Sequence, residues 1–171
     1  GSGKTPTAIA VAHYLKSKGL DIHFLSRGYG GTINSPVRVD PCRHGVQAVG
    51  DEPILLARVA PTWISGNRQA TAELAIKAGA EVLVMDDGFQ NPTIHKDISI
   101  LVIDGETGFG NGQIIPAGPL REPVAKGLNR ANAALIIGND VHGLTTTLKQ
   151  PGSTVINILR GHLAPAKSMA G

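Results

Sequence analysis

Apolar positions along the chain recur with two periods, and the switches between them mark out the elements. Ala8, Ile9, Val11, Ala12 and Leu15 fall at helical spacing and predict a helix that Gly19 ends. Pro6 stands in its first turn, where a missing N–H costs nothing. Ile22–Leu25 is a short apolar run that predicts a strand, and residues 32–50 read as irregular and polar. Leu55, Leu56 and Val59 predict a second helix, followed by a weak strand at Thr62–Ser65. Arg68 opens a third helix through Ala72, Leu74, Ala75 and Ile76 to Gly79. Val82–Met85 and Ile98–Asp104 are continuous apolar runs of the kind buried on both faces. Leu135–Gly138 and Val155–Leu159 predict two more strands, with Thr-rich polar sequence between them.

Strands alternating with helices, the strands apolar throughout, predict an α/β fold with a mostly parallel sheet and helices on both faces. In such a fold the strand that feeds Gly1 lies centrally, and it is absent from this sequence. A polypeptide without it is expected to be poorly stable alone.

Composition adds bounds. The 171 residues are 42% hydrophobic, an ordinary globular balance, and include 22 glycines and 11 prolines, which suits many tight loops. The single cysteine, Cys42, excludes a disulfide framework within the chain and fits a reducing compartment. A net charge of +3 fits an anionic small molecule, a phospholipid surface or a nucleic acid equally well. Three Phe, two Tyr and one Trp, with no basic run among them, argue against stacking on single-stranded nucleic acid. No apolar stretch approaches a membrane span and no signal peptide is present. The chain begins inside a motif, so this absence carries no information about anchoring.

That motif is Gly1-Ser2-Gly3-Lys4-Thr5, the end of a phosphate-binding loop of the form G-x-x-x-x-G-K-[ST] whose first glycine would precede Gly1. In such a loop backbone N–H groups cradle phosphate oxygens at a helix N-terminus. Lys4 would reach the β- and γ-phosphates and the Thr5 hydroxyl would ligate Mg²⁺. The plain alternative is a glycine-rich tail. Val82–Met85 runs into Asp86-Asp87-Gly88-Phe89-Gln90, and an apolar strand ending in acid is where a magnesium–nucleotide complex is held. An Asp-Gly turn at a strand exit is the competing reading. Ser26-Arg27-Gly28-Tyr29-Gly30-Gly31 follows a strand, where open sheets bind ligands, and Arg27 is a candidate anion contact. Asp51 and Glu52 precede a helix and locally read as cap and first-turn charges. The long turn-rich stretch from Gly108 to Pro123, with Arg121 and Glu122 its charged pair, has the length of a functional loop. His13, His23, His44, His95, His142 and His162 lack metal spacing and read as surface or loop histidines.

Together these stretches resemble the tetraacyldisaccharide 4′-kinase family, the lipid A 4′-kinases of Gram-negative bacteria. The carrying residues are Gly3-Lys4-Thr5-Pro6, Ser26–Gly31, Val49-Gly50-Asp51-Glu52-Pro53, Asp86–Gln90, and Gly108–Gly112 with Pro116–Pro123. Five motifs in the family's order cover most of residues 1–140. The resemblance implies a P-loop NTPase-like core, ATP and Mg²⁺ as cofactors, and phosphorylation of the 4′-hydroxyl of a disaccharide lipid 1-phosphate at the membrane surface. It implies that the enzyme works on the cytoplasmic face of the bacterial inner membrane. Asp51 would then be the catalytic acid–base group together with Lys4, which overrides the cap reading. Asp86 and Asp87 would serve the metal, with Thr5 and Glu122. Arg27, Tyr29, Gln90 and Arg121 would meet substrate. The family often has His where this chain has Asn91, and its membrane helix and the histidine thought to pair with the catalytic acid lie outside residues 1–171. Residues 1–140 are therefore expected to be a kinase core incomplete at its N-terminus, and residues 141–171 a linker and the opening of a second domain.

Two other classes remain at this stage. A P-loop kinase or synthetase for a soluble metabolite would share Lys4, Thr5 and Asp86. A non-catalytic nucleotide-binding module would bind ATP without needing Asp51. Neither nucleic acid nor a protein partner is called for by the pattern.

Overall fold

A computed structural model describes residues 2–149 and 157–164. The chain divides into two compact units, Lys4–His95 and Gly1–Gly3 with Lys96–Gly171.

In the first unit α1 (Lys4–Ser17) leads into β1 (Ile22–Ser26), β2 (Val37–Arg38), α2 (Val46–Val49), α3 (Asp51–Ala57), β3 (Thr62–Ile64), α4 (Arg68–Lys77) and β4 (Val82–Met85). The strands lie in the order β2-β3-β1-β4. β1 runs parallel to both β3 and β4, and the two-residue β2 is an antiparallel edge on β3. Alternation along the strands explains why helices cover both faces. Ile22 and Phe24 of β1, with Val82 and Val84 of β4, pack with Ala8 and Ala12 of α1 and Leu56 of α3. Leu25, Leu83 and Met85 point the other way and pack with Trp63, Ala72 and Ala75, the last two from α4. The region expected to be irregular, 32–50, holds β2 and α2. Elements of two and four residues carry no period that a sequence can display.

His23 corrects an expectation: it is a core residue, 2% exposed. The indole Nε1 of Trp63 donates to its Nδ1 at 3.1 Å, so the ring is buried neutral with its acceptor satisfied. Burial holds its pKa below the ordinary 6.5, against the opposing pull of Asp21. The sign follows from proton uptake. Below about pH 6.5 the unfolded chain binds a proton that the folded state refuses, so stability falls as pH drops through that value toward the lowered folded pKa. In His23→Gln that part of the acid loss is expected to disappear from urea midpoints measured between pH 7 and 5. An unchanged pH slope would contradict it.

The second unit contains β5 (Ile100–Asp104), α5 (Val124–Leu128), β6 (Ala133–Ile137), α6 (Leu144–Leu148) and β7 (Asn157–Gly161). Its three strands form a parallel sheet in the order β5-β6-β7. Asp140 accepts from the N–H groups of Leu144 and Thr145 at the start of α6 and pairs with Arg160 of β7. Those N–H donors hold its carboxyl below the usual range. Of the strand expected at Val155–Leu159, the first two residues lie outside the described residues, and the rest is the start of β7. The turn-rich stretch closes on itself: Ile115 N–H donates to Leu120 O, Leu120 N–H to Gln113 O, and the Asn111 amide to Ala117 O. Each unit thus carries its own mostly or wholly parallel sheet, as the α/β reading expects.

Candidate active site

The site is built at the C-terminal edge of the first unit's sheet. β1 and β4 are parallel and in register from Ile22↔Val82 to Leu25↔Met85, so Arg27 and Asp86 leave neighbouring strands side by side. Lys4 and Thr5 open α1. The Thr5 hydroxyl donates to Asp86 Oδ2 at 2.8 Å in a buried contact, and Lys4 Nζ lies 3.7 Å from Asp87 Oδ1. Asp87 turns the chain with φ +52, which sends two successive carboxylates in different directions. Asp86 is 3% exposed, and that desolvation raises its pKa, partly offset by the Thr5 hydroxyl and by Lys4.

Asp51 and Glu52 form the first turn of α3, and Asp51 Oδ1 accepts from the Glu52 N–H at 2.9 Å. Burial raises the Glu52 pKa first, and the fields of Asp86, Asp51 and Asp87 raise it further. Four carboxylates of one unit therefore share a local field with Lys4. The glycines explain how Asp51 is held there. Gly50 has φ +89, and a Cβ on it would stand 2.5 Å from the Tyr29 carbonyl oxygen. A Cβ on Gly31 would stand 2.6 Å from the Ala48 carbonyl oxygen. The Ser26–Gly31 loop thus lies directly on the backbone before Asp51. Gly50→Ala is expected to cost about 1–3 kcal/mol through strain and overpacking. Urea unfolding checks it, and an unshifted midpoint would rule out this packing.

The residues singled out from sequence are distributed as follows. Lys4, Thr5, Arg27, Tyr29, Asp51, Asp86, Asp87 and Gln90 belong to the first unit. Tyr29 is 83% exposed, and Arg27 and Gln90 are also exposed. Ser2 and Gly3 group with the second unit, as do Arg121 and Glu122, and Glu122 pairs with Arg130. Gly1 lies outside the described residues. One residue was missed. Arg68, read only as a helix start, is 4% exposed, and burial lowers its pKa, as does Arg27. The signal available was positional: Ser65-Gly66-Asn67-Arg68 leaves a strand next to the one that Ser26-Arg27-Gly28 leaves.

No group of three or more His, Cys, Asp or Glu among the described residues could hold a metal ion by itself. The donors do fit a hard divalent cation bound together with phosphates. A hydroxyl whose proton is directed to Asp86 offers its lone pair outward, and a desolvated carboxylate gains from a nearby positive charge.

A mostly parallel sheet flanked by helices, with a lysine and threonine opening one helix against strand-end acids, is the arrangement of a P-loop NTPase-like fold. The model of the tetraacyldisaccharide-1-P 4′-kinase family matches residues 1–170, and the chain belongs to that family. It is 54% identical over 165 residues to a tetraacyldisaccharide 4′-kinase of Rhodospirillum centenum, covering 96% of this chain and 48% of that protein. With the same enzyme of Dinoroseobacter shibae the identity is 50% over 169 residues, covering 98% and 50% respectively. The chain therefore spans about half the length of these curated relatives. The fold is similar to that of LpxK from Aquifex aeolicus, solved in complex with ATP, with a TM-score of 0.69 at 22% identity, covering 98% of this chain and 71% of that one.

Proposed function

We propose that the protein to which this chain belongs transfers the γ-phosphoryl group of ATP to the 4′-hydroxyl of a tetraacyldisaccharide 1-phosphate, giving lipid IVA. The observation that carries the reading is the buried Thr5–Asp86 contact beside the Lys4–Asp87 pair, in a chain of this family. Lys4 would exchange Asp87 for the terminal phosphates and neutralise their charge. Thr5 and Asp86 would hold Mg²⁺ with Asp87 beside them, and Glu122 is a further candidate ligand. When bound, the ion supplies positive charge to the phosphate oxygens. Asp51 accepts the proton of the sugar hydroxyl as its oxygen bonds to the γ-phosphorus and the bond to the β–γ bridging oxygen breaks, releasing ADP.

Arg27, Tyr29, Gln90 and Arg121 would contact the disaccharide head group, the exposed ring of Tyr29 giving it an apolar surface. We assign residues 1–140 to the kinase core and residues from about 141 onward to the passage into a further domain. Among the described residues no helix is long and apolar enough to cross a membrane. The reading nevertheless puts the reaction at the cytoplasmic face of the inner membrane, because the acceptor is a lipid.

The test is transfer of ³²P from γ-labelled ATP by a full-length protein carrying this sequence, presented with tetraacyldisaccharide 1-phosphate in mixed micelles and, separately, with soluble sugars. Label in the lipid alone is expected. Label in a soluble acceptor, with none in the lipid, would move the protein to a different kinase.

A further inference from the structure

The chemistry above leaves unused a recess at the opposite end of the first unit's sheet. The pairing of β2 with β3 continues past Arg38, where the Val39 N–H donates to the Thr62 carbonyl at 2.8 Å. Residues 40–44 therefore turn beside the N-terminal end of β3, whereas the catalytic groups stand at the C-terminal ends of β1 and β4. The turn is built on Asp40. Its carbonyl accepts from the N–H groups of Arg43 and His44, and its Oδ1 accepts from Cys42 N–H. Its own N–H donates to His44 Nδ1 at 3.0 Å, which leaves Nε2 as the donor of that ring. Facing this turn are Ala57–Pro61, the end of α3 and the residues that lead into β3. The recess that the two segments line has a volume of about 620 Å³, inside the range of small-molecule sites, about 300–1,000 Å³.

Its charge says what it would hold. Arg38, Arg43 and Arg58 all line it, and Asp40 is the one acid among its described lining residues. Each arginine has an ordinary explanation taken singly. Arg58 stands at the C-terminus of α3, where a cation complements the dipole. Arg38 puts a charge on an edge strand. Arg43 Nε lies 3.4 Å from Asp40 Oδ2, looser than a charge-assisted hydrogen bond of about 2.7–2.9 Å. None of these explains why three mutually repelling guanidinium groups line one recess. The side chains of Arg38 and Arg58 make no hydrogen bond or ion pair among the described residues. Lys16 adds a further cation, its ammonium donating to the carbonyl of Val59, a lining residue, at 2.7 Å. Three guanidinium groups against one carboxylate leave an excess of two positive charges, and a phosphate monoester carries roughly two negative ones at pH 7. Planar guanidinium forks suit its oxygens. Val39, Val59, Ala60 and Pro61 make the walls apolar, and no Phe, Tyr or Trp is among the described lining residues. Such walls fit a compact aliphatic body and give a nucleobase nothing to stack on.

We propose that this recess binds a soluble phosphate monoester with a small aliphatic body, of the sugar-phosphate or polyol-phosphate class. Arg38 and Arg58 hold the phosphate oxygens, and Arg43, its side chain 84% exposed, closes the rim. The site is separate from the catalytic edge and stands whether or not the kinase reading does. A phospholipid headgroup carries the same phosphate chemistry. The apolar walls favour the soluble source, because the apolar part of a lipid stays in the bilayer.

The test titrates a full-length protein carrying this sequence with glycerol 3-phosphate by calorimetry, in wild type, Lys4→Ala, Arg38→Gln, Arg58→Gln and Arg58→Lys. Binding is expected in wild type and, undiminished, in Lys4→Ala, which alters the catalytic edge alone. Arg38→Gln and Arg58→Gln should each weaken it about tenfold or more, the scale of one lost hydrogen bond to a charged group. Arg58→Lys should recover little, since the fork is required as well as the charge. A diffuse positive field would be indifferent to that exchange, so wild-type binding in Arg58→Lys would overturn the site. Arg58 also ends a helix, whereas Arg38 lies on an edge strand, so Arg38→Gln separates loss of ligand from loss of helix. In a second arm, flotation with phosphatidylglycerol vesicles should be the same for wild type and the Arg38→Gln, Arg58→Gln double variant. No binding of glycerol 3-phosphate by wild type, or binding lost in Lys4→Ala and kept in both glutamine variants, would overturn the site. Vesicle binding that falls in the double variant, with no glycerol 3-phosphate bound by wild type, would give the recess to lipid headgroups and overturn the soluble ligand.

Discussion

Replacing Asp51 by Asn in a full-length protein carrying this sequence should lower kcat by about 10²- to 10⁴-fold, the range of a positioned general base. ATP binding measured by calorimetry should stay within about twofold. The two readouts separate because Asp51 belongs to α3, whereas the residues proposed to meet the phosphates are those of α1 and the end of β4. Asn is close to isosteric, keeps a side-chain oxygen able to accept from the Glu52 N–H, and removes only the capacity to take a proton. Glu52 is the residue that could blunt the effect. Its pKa is raised by burial and then by the fields of Asp86, Asp51 and Asp87, so it stands as a second carboxylate beside the first. The double change Asp51→Asn with Glu52→Gln should therefore fall further than Asp51→Asn alone. An Asp51→Asn enzyme with wild-type turnover would show that Asp51 merely begins a helix.

Lys4→Ala should lower kcat/KM for ATP by about 10²- to 10³-fold, the scale of one charge-stabilising donor removed at the reacting centre. Lys4 is 3.7 Å from Asp87, with both side chains partly exposed, and it is among the charges that lower the pKa values of Asp86 and Glu52. Its removal takes the one positive charge of the α1 terminus away from a group of four acids. The remaining site repels a triphosphate before any chemistry begins. Lys4→Arg should recover little, because the broader guanidinium cannot occupy the position of a compact ammonium next to the phosphate loop. Steady-state kinetics over a range of ATP concentrations measure both variants. Saturation at the wild-type ATP level would remove Lys4 from the mechanism.

How much of this was legible in the sequence depends on what kind of signal each feature leaves. β4 and β6 are uninterrupted apolar runs and legible as inner strands, whereas β1 is buried along its whole length although it carries His23 and Ser26 among Ile22, Phe24 and Leu25. The pairing of Lys4 and Thr5 with the acids of the β4 exit was readable, because a phosphate loop and a strand-end carboxylate must meet at one sheet edge. By contrast β2, α2, α5 and α6 are two to five residues long, set by tertiary contacts that no short window displays. His23 was misread because its burial depends on an indole 40 residues away. Arg68 was passed over for the same reason: a helix-opening arginine looks solvated until the fold is known to cover it. The α/β class with mostly parallel strands was legible too, while the grouping of the strands was not, since a run of apolar residues specifies a buried strand and not its neighbours. Five motifs carried the family, and the match over residues 1–170 agrees with them.

The account stands on Lys4, Thr5 and the β4 acids meeting one triphosphate, and an acyl-phosphate derivative of ATP tests that directly. Such a probe acylates the lysine amine that lies against the terminal phosphates. In a full-length protein carrying this sequence, peptide mapping should find the label on Lys4, suppressed by excess ATP and weakened in Asp86→Asn. Labelling centred on another lysine, or labelling of Lys4 that ATP does not compete away, would contradict the account.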